Sequence, residues 1–99
     1  MVEVVFDEAA AERDKSRGER ASRILNDPLV VEAFAEIDRA IVELFGSIKA
    51  EDKDALQELA RVLDVTKRFK SVFETAISRG KLKAHDLVET KRRKLLGFR

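Results

Sequence analysis

Asn26-Asp27-Pro28-Leu29-Val30-Val31-Glu32-Ala33-Phe34-Ala35-Glu36-Ile37 is the stretch on which the reading of this chain turns. Asp27 can accept hydrogen bonds from first-turn amides that no carbonyl reaches, and Pro28 suits the first helical position, where its missing N–H costs nothing. A helix therefore starts here. Val30, Phe34, Ile37, Ile41, Leu44 and Ile48 then recur at spacings of 4, 3, 4, 3 and 4, the seam of helices packed side by side. Val31, Ala35, Val42 and Phe45 flank that seam. The apolar face of this helix, predicted over 28–49, is wider than one neighbour covers.

Downstream, Gly46 and Ser47 loosen the helix end, and Glu51-Asp52-Lys53-Asp54 makes a polar turn whose acids suit the amino end of a following helix. So short a connection makes the two helices antiparallel neighbours. The second helix, predicted over 53–79, repeats the pattern with Ala55, Leu59, Val62, Thr66, Phe69, Phe73 and Ala76, flanked by Leu56, Leu63, Val65, Val72 and Ile77. Gly80 is the expected left-handed stop. The fold class expected is all-α: an antiparallel helical hairpin with short flanking helices, assembling into a homo-oligomer. Residues 27–80 are its oligomerisation core.

Residues 1–26 precede the core as an arm and a polar helix. Met1 to Phe6 alternates as a short strand would, and Asp7 is placed to cap an Ala-rich helix that runs to Leu25. Between Glu12 and Arg20 there is almost nothing apolar to bury, and Gly18 interrupts, so this stretch reads as solvated or frayed. After Gly80, Asp86 with Glu89 three residues on resembles a capping box that opens a last short helix through Lys94 to Leu96. Residues 81–99 form a basic C-terminal segment.

Ninety-nine residues, 44% apolar and 39% charged, suffice for one modest core. A scaffold of that size commonly relies on disulfides, a metal or oligomerisation. Cysteine is absent and His85 is the lone imidazole, against the several Cys and His ligands of structural zinc sites. Oligomerisation is the route left, and a ring is one form it can take. No apolar run is long enough to span a bilayer, and the first residues lack the basic start of a signal peptide, so a cytoplasmic protein with no membrane partner is expected. The net charge of +1 conceals a gradient: −1 over residues 1–26, −3 over 27–80 and +5 over 81–99.

No chemistry is named by these residues. His85 has no partner supplied by spacing for acid–base or nucleophilic work, and a solvent-exposed imidazole is expected. The acidic pairs Glu32/Glu36 and Asp52/Asp54 read as wet helix faces rather than a cation site. The glycines at 18, 46, 80 and 97 stand apart, so no phosphate-cradling loop can be built from them. Phe34, Phe45, Phe69 and Phe73 lie on apolar stripes and read as packing. The protein is expected not to be an enzyme, with no catalytic, cofactor-binding or metal-ligating residue and no cofactor.

The binding candidates are basic. Lys91, Arg92, Arg93 and Lys94, with Lys81, Lys83 and Arg99, can neutralise phosphates and give salt-sensitive binding of double-stranded DNA without strong sequence preference. Leu87, Val88, Leu95, Leu96 and Phe98 lie among them, so the same segment suits docking on a protein or packing back on its own domain. Val30, Phe34, Ile37, Ile41, Leu44, Ile48, Leu59, Val62, Phe69 and Phe73 are the expected core and oligomer interface. Arg61, Lys67, Arg68 and Lys70, mixed with Glu58 and Asp64, read as a solvated face with pairing along the helix.

Arg23-Ile24-Leu25-Asn26-Asp27-Pro28 leading into Glu32-Ala33-Phe34, then Leu63-Asp64-Val65 and Ser78-Arg79-Gly80-Lys81-Leu82, resembles small helical proteins encoded near DNA-packaging genes in tailed bacteriophages and gene transfer agents. The likeness, over residues 20–82, is to a reduced small terminase subunit. It implies a ring built through a central helical hairpin, a hold on viral DNA, regulation of the large terminase subunit as partner, and no enzymatic activity of its own. The family's usual helix-turn-helix domain has no counterpart in the 27 residues before Pro28, which are too few and too polar. Sequence-specific DNA reading by that route is therefore not expected. A small helical regulatory or scaffolding protein that binds another chain without nucleic acid is the alternative.

Overall fold

A computed structural model of the chain describes residues 6–97. They form three helices: α1 (Glu8–Asn26), α2 (Pro28–Ser47) and α3 (Lys53–Leu95). The fold is all-α. Each helix begins where an aspartate satisfies orphan amides. Asp7 Oδ1 accepts from the Ala10 amide at 3.1 Å, Asp27 Oδ1 from Leu29 at 2.9 Å, and Asp52 Oδ1 from Ala55 at 3.1 Å. Asp27 itself is extended (φ −63°, ψ 128°), with Pro28 following it into the first turn of α2. The arm predicted over Met1 to Phe6 lies, apart from Phe6, outside the described residues.

The end of the second long helix differs from expectation. The chain does not stop at Gly80 or restart at Asp86: α3 is one helix of 43 residues, and Gly80 and Asp86 are both interior to it. Among the described residues the positive-φ glycine is Gly97, at +78°, which places the left-handed stop where α3 really ends.

The chain divides into two compact units, Met1–Arg23 with Phe73–Arg99, and Ile24–Val72. In the first, α1 packs against the C-terminal half of α3 through small residues. Ala11, Gly18 and Ala21 of α1 are buried, as are Gly80 and Leu87 of α3. Gly18 and Gly80 face each other so closely that a Cβ on Gly18 would lie 2.8 Å from Gly80 Cα and 2.8 Å from the Ala76 carbonyl oxygen. A Cβ on Gly80 would meet Gly18 Cα at 2.8 Å and the Asp14 carbonyl at 3.0 Å. Real Cβ atoms do not tolerate such distances, so the backbones can come this near only because both positions lack a side chain. The Gly80 expected to end a helix instead lets one helix press against another, and the polar stretch 12–20 is a docked helix rather than a frayed one. An ion pair between Lys94 and Glu8 ties the far end of α3 to the start of α1.

In the second unit, α2 contacts the N-terminal half of α3. Phe34 and Phe69 pack with ring centroids 6.3 Å apart at a tilt of 43°, and Lys70 Nζ lies 5.6 Å from the Phe34 ring centroid. Further along α2, Ile41, Val42 and Phe45 share a groove with Leu56, Leu59 and Leu63. Leu59 is buried; no residue of α2 is.

Candidate functional site

Apolar surface left open by the second unit is its most distinctive feature. A helix with a 3.6-residue period turns about 100° per residue. Around α2 the charged residues Glu32, Glu36, Arg39 and Glu43 occupy one narrow sector, and apart from Asp38 most of the remaining circumference is apolar. A helix of that kind belongs among several neighbours, and α3 supplies one. Val30, Phe34, Ile41 and Ile48 are half-buried along the contact, while Leu29, Val31, Val42, Leu44 and Phe45 are exposed.

Two open grooves flank the contact. Val30, Ala33, Phe34 and Ile37 line one of about 280 Å³ with Thr66 and Phe69. The other, about 470 Å³, is formed by Ile41, Val42, Phe45, Leu56, Leu59, Ala60 and Leu63. Ala33 and Ile37 fall on one side of the α2 seam and Val42 and Phe45 on the other, so the grooves open on opposite flanks of the unit. The first flank continues along α3 as Val62, Val65, Phe69 and Val72, spaced 3, 4 and 3 and exposed by 51%, 64%, 59% and 67% respectively. That spacing is a second helix-packing seam.

These contacts sort the expected interface residues. Phe34, Ile41, Leu59 and Phe73 are at least half-buried; Ile37, Leu44, Val62 and Phe69 are exposed. Sequence periodicity gave one undivided stripe on each of the two helices. In the structure each stripe divides into residues of an inner contact and residues left on an outer flank.

The basic candidates are dispersed by the helix that carries them. Lys81, Lys91, Arg92 and Arg93 are exposed, Lys83 is half-buried, and Lys94 is engaged by Glu8. The run Lys91 to Lys94 takes one residue per 100° and so rings α3 rather than forming a stripe. Arg99 lies outside the described residues. His85 is exposed, and among the described residues no group of three or more His, Cys, Asp or Glu side chains is placed to hold a metal ion. On α3, Arg61 pairs with Glu58 and Arg68 with Asp64, each at 2.9 Å, the pairing along the helix that the sequence suggested. No helix of the described residues is long and apolar enough to cross a membrane.

Two features escaped the sequence analysis. The Gly18–Gly80 crossing was signalled by the small residues Ala76, Gly80 and Ala84 at four-residue spacing. A row of arginines on α1 was signalled by their recurrence at helical spacing in a sector free of acids. No protein-family model matches the chain, and neither a curated protein nor a solved structure matches it.

Proposed function

We propose that the protein is a non-enzymatic adaptor that assembles with copies of itself through α2 and the first half of α3, acting as an antiparallel hairpin. Its basic C-terminal segment would be offered to DNA or to the large subunit of a packaging motor, the role that the resemblance to small terminase subunits implies. The observation carrying the assembly is the pair of apolar flanks on opposite sides of the second unit. A two-fold dimer uses the same patch on both subunits and would leave one flank wet. Two different flanks on each subunit suit head-to-tail contacts, which close into a ring where the rotation allows.

Light scattering or native mass spectrometry of the purified chain across a range of salt tests this. The expected result is a discrete assembly larger than a dimer. A stable monomer removes the foundation of the reading and favours the second one, in which the same apolar flanks are covered by a different protein chain. Charge reversal at Lys91, Arg92 and Arg93 tests the DNA arm: retention of a DNA fragment should fall and lose its salt dependence, and unchanged retention counts against that segment as the contact.

A further inference from the structure

Among the charged surfaces of the molecule, the outward face of α1 is the most coherent. Arg13, Arg17, Arg20 and Arg23 are all exposed. At 100° per residue they fall within a sector of about 120°, with Ala9, Ser16 and the exposed Ile24 between them. The acids of α1 lie outside it: Glu8, Glu12 and Glu19 beyond one edge and Asp14 on the packed side. Among the described residues none of the four guanidinium groups takes part in an ion pair; the pairs there are Arg61 with Glu58, Arg68 with Asp64 and Lys94 with Glu8. The opposite side of α1 is fixed against α3 by Ala11, Gly18 and Ala21, so the row is held on a docked helix.

We infer that this face is a binding surface for the phosphate backbone of duplex DNA. The inference deepens the DNA arm of the reading above and rests on it. From Arg13 to Arg23 the row extends about 15 Å along the helix axis, long enough to meet several consecutive phosphates. Guanidinium groups suit phosphate because their planar fork donates two hydrogen bonds to it at once. Ala9 and Ser16 among the arginines are small and allow a duplex to come close, Ile24 stands at the last turn of the helix, and the sector holds no aromatic group to stack on a base. Contact through phosphates alone fixes position without reading sequence. The surrounding unit favours a polyanion too: Met1–Arg23 and Phe73–Arg99 together hold thirteen Lys and Arg against nine Asp and Glu.

The test is fluorescence anisotropy of a labelled 30-base-pair duplex titrated with the full-length chain over a series of salt concentrations. It compares the wild type with Arg13→Ala/Arg17→Ala/Arg20→Ala. Alanine is the best helix former, and circular dichroism confirms that α1 persists. A control with the same loss of charge is Lys49→Ala/Lys53→Ala/Lys67→Ala in the other unit. Loss of three phosphate contacts should weaken binding at least tenfold and reduce the slope of log K against log salt by about 2.7, while the control retains most of both. Equal losses in the two variants would mean that net charge alone matters and would overturn the site. Wild-type affinity in the α1 variant, with loss on charge reversal of Lys91, Arg92 and Arg93, would overturn the site and leave the DNA reading standing. A wild-type chain that does not bind the duplex even at low salt would overturn both, and the mass measurement would then decide the assembly by itself.

Discussion

Two glycines carry opposite consequences for the same substitution. Alanine in a helix interior is normally favoured over glycine by about 0.8–1.0 kcal/mol. At Gly46 a new Cβ meets nothing within 4 Å, so Gly46→Ala should raise stability by a few tenths to about 1 kcal/mol. At Gly80 the same methyl meets backbone atoms of α1 at 2.8 and 3.0 Å. Overpacking of that kind costs about 1–3 kcal/mol, which outweighs the propensity gain. Gly80→Ala should therefore lower the thermal midpoint, by about 4–8 °C per kcal/mol for a domain near this size. A rise at Gly80 would mean that α1 is not pressed against α3 there. Asp27→Ala removes an acceptor 2.9 Å from the Leu29 amide and should cost about 1 kcal/mol. Asp27 and Pro28 were legible in the sequence because a cap acts on its own next few residues. Gly18 and Gly80 were not, because each is explained by the other, far away in the chain.

At the scale of elements, apolar spacing was enough to place α2 and the start of α3, since a 3–4 repeat with local caps needs no tertiary information. It could not show that α3 continues to Leu95. A glycine followed by polar residues is a reasonable stop unless another helix needs its missing side chain, and α1 does. Nor could it show which apolar residues face inward. Val65 and Val72 belong to a stripe continuous in sequence with Phe73, yet they are exposed by 64% and 67% while Phe73 is half-buried. The first flank can therefore be charged without touching the subunit's own packing. Val65→Lys/Val72→Lys should change subunit stability by no more than about 0.5 kcal/mol per site, as exposed substitutions usually do, and leave helical circular dichroism intact. If that flank joins copies together, the mass in solution should fall. An unchanged mass would exclude it as an interface and leave the groove of Val42, Phe45 and Leu56 on the other flank.

For the whole molecule, charge and apolar exposure divide between the two units. The second unit holds seven Lys and Arg against ten Asp and Glu, while the first is basic. The apolar flanks and the arginine face thus sit on different units. If assembly supplies the neighbours that α2 lacks, stability in the second unit depends on protein concentration by mass action, whereas the Gly18–Gly80 contact lies within one chain. Hydrogen exchange measured above and below the assembly concentration should separate them. On dilution, amides of α2 and of α3 up to Val72 should lose protection, and those from Phe73 through Leu87 should keep theirs, a step within one continuous helix. Protection that is independent of concentration along all of α3 would mean that the second unit is stable without neighbours, and would count against self-assembly as what holds it folded.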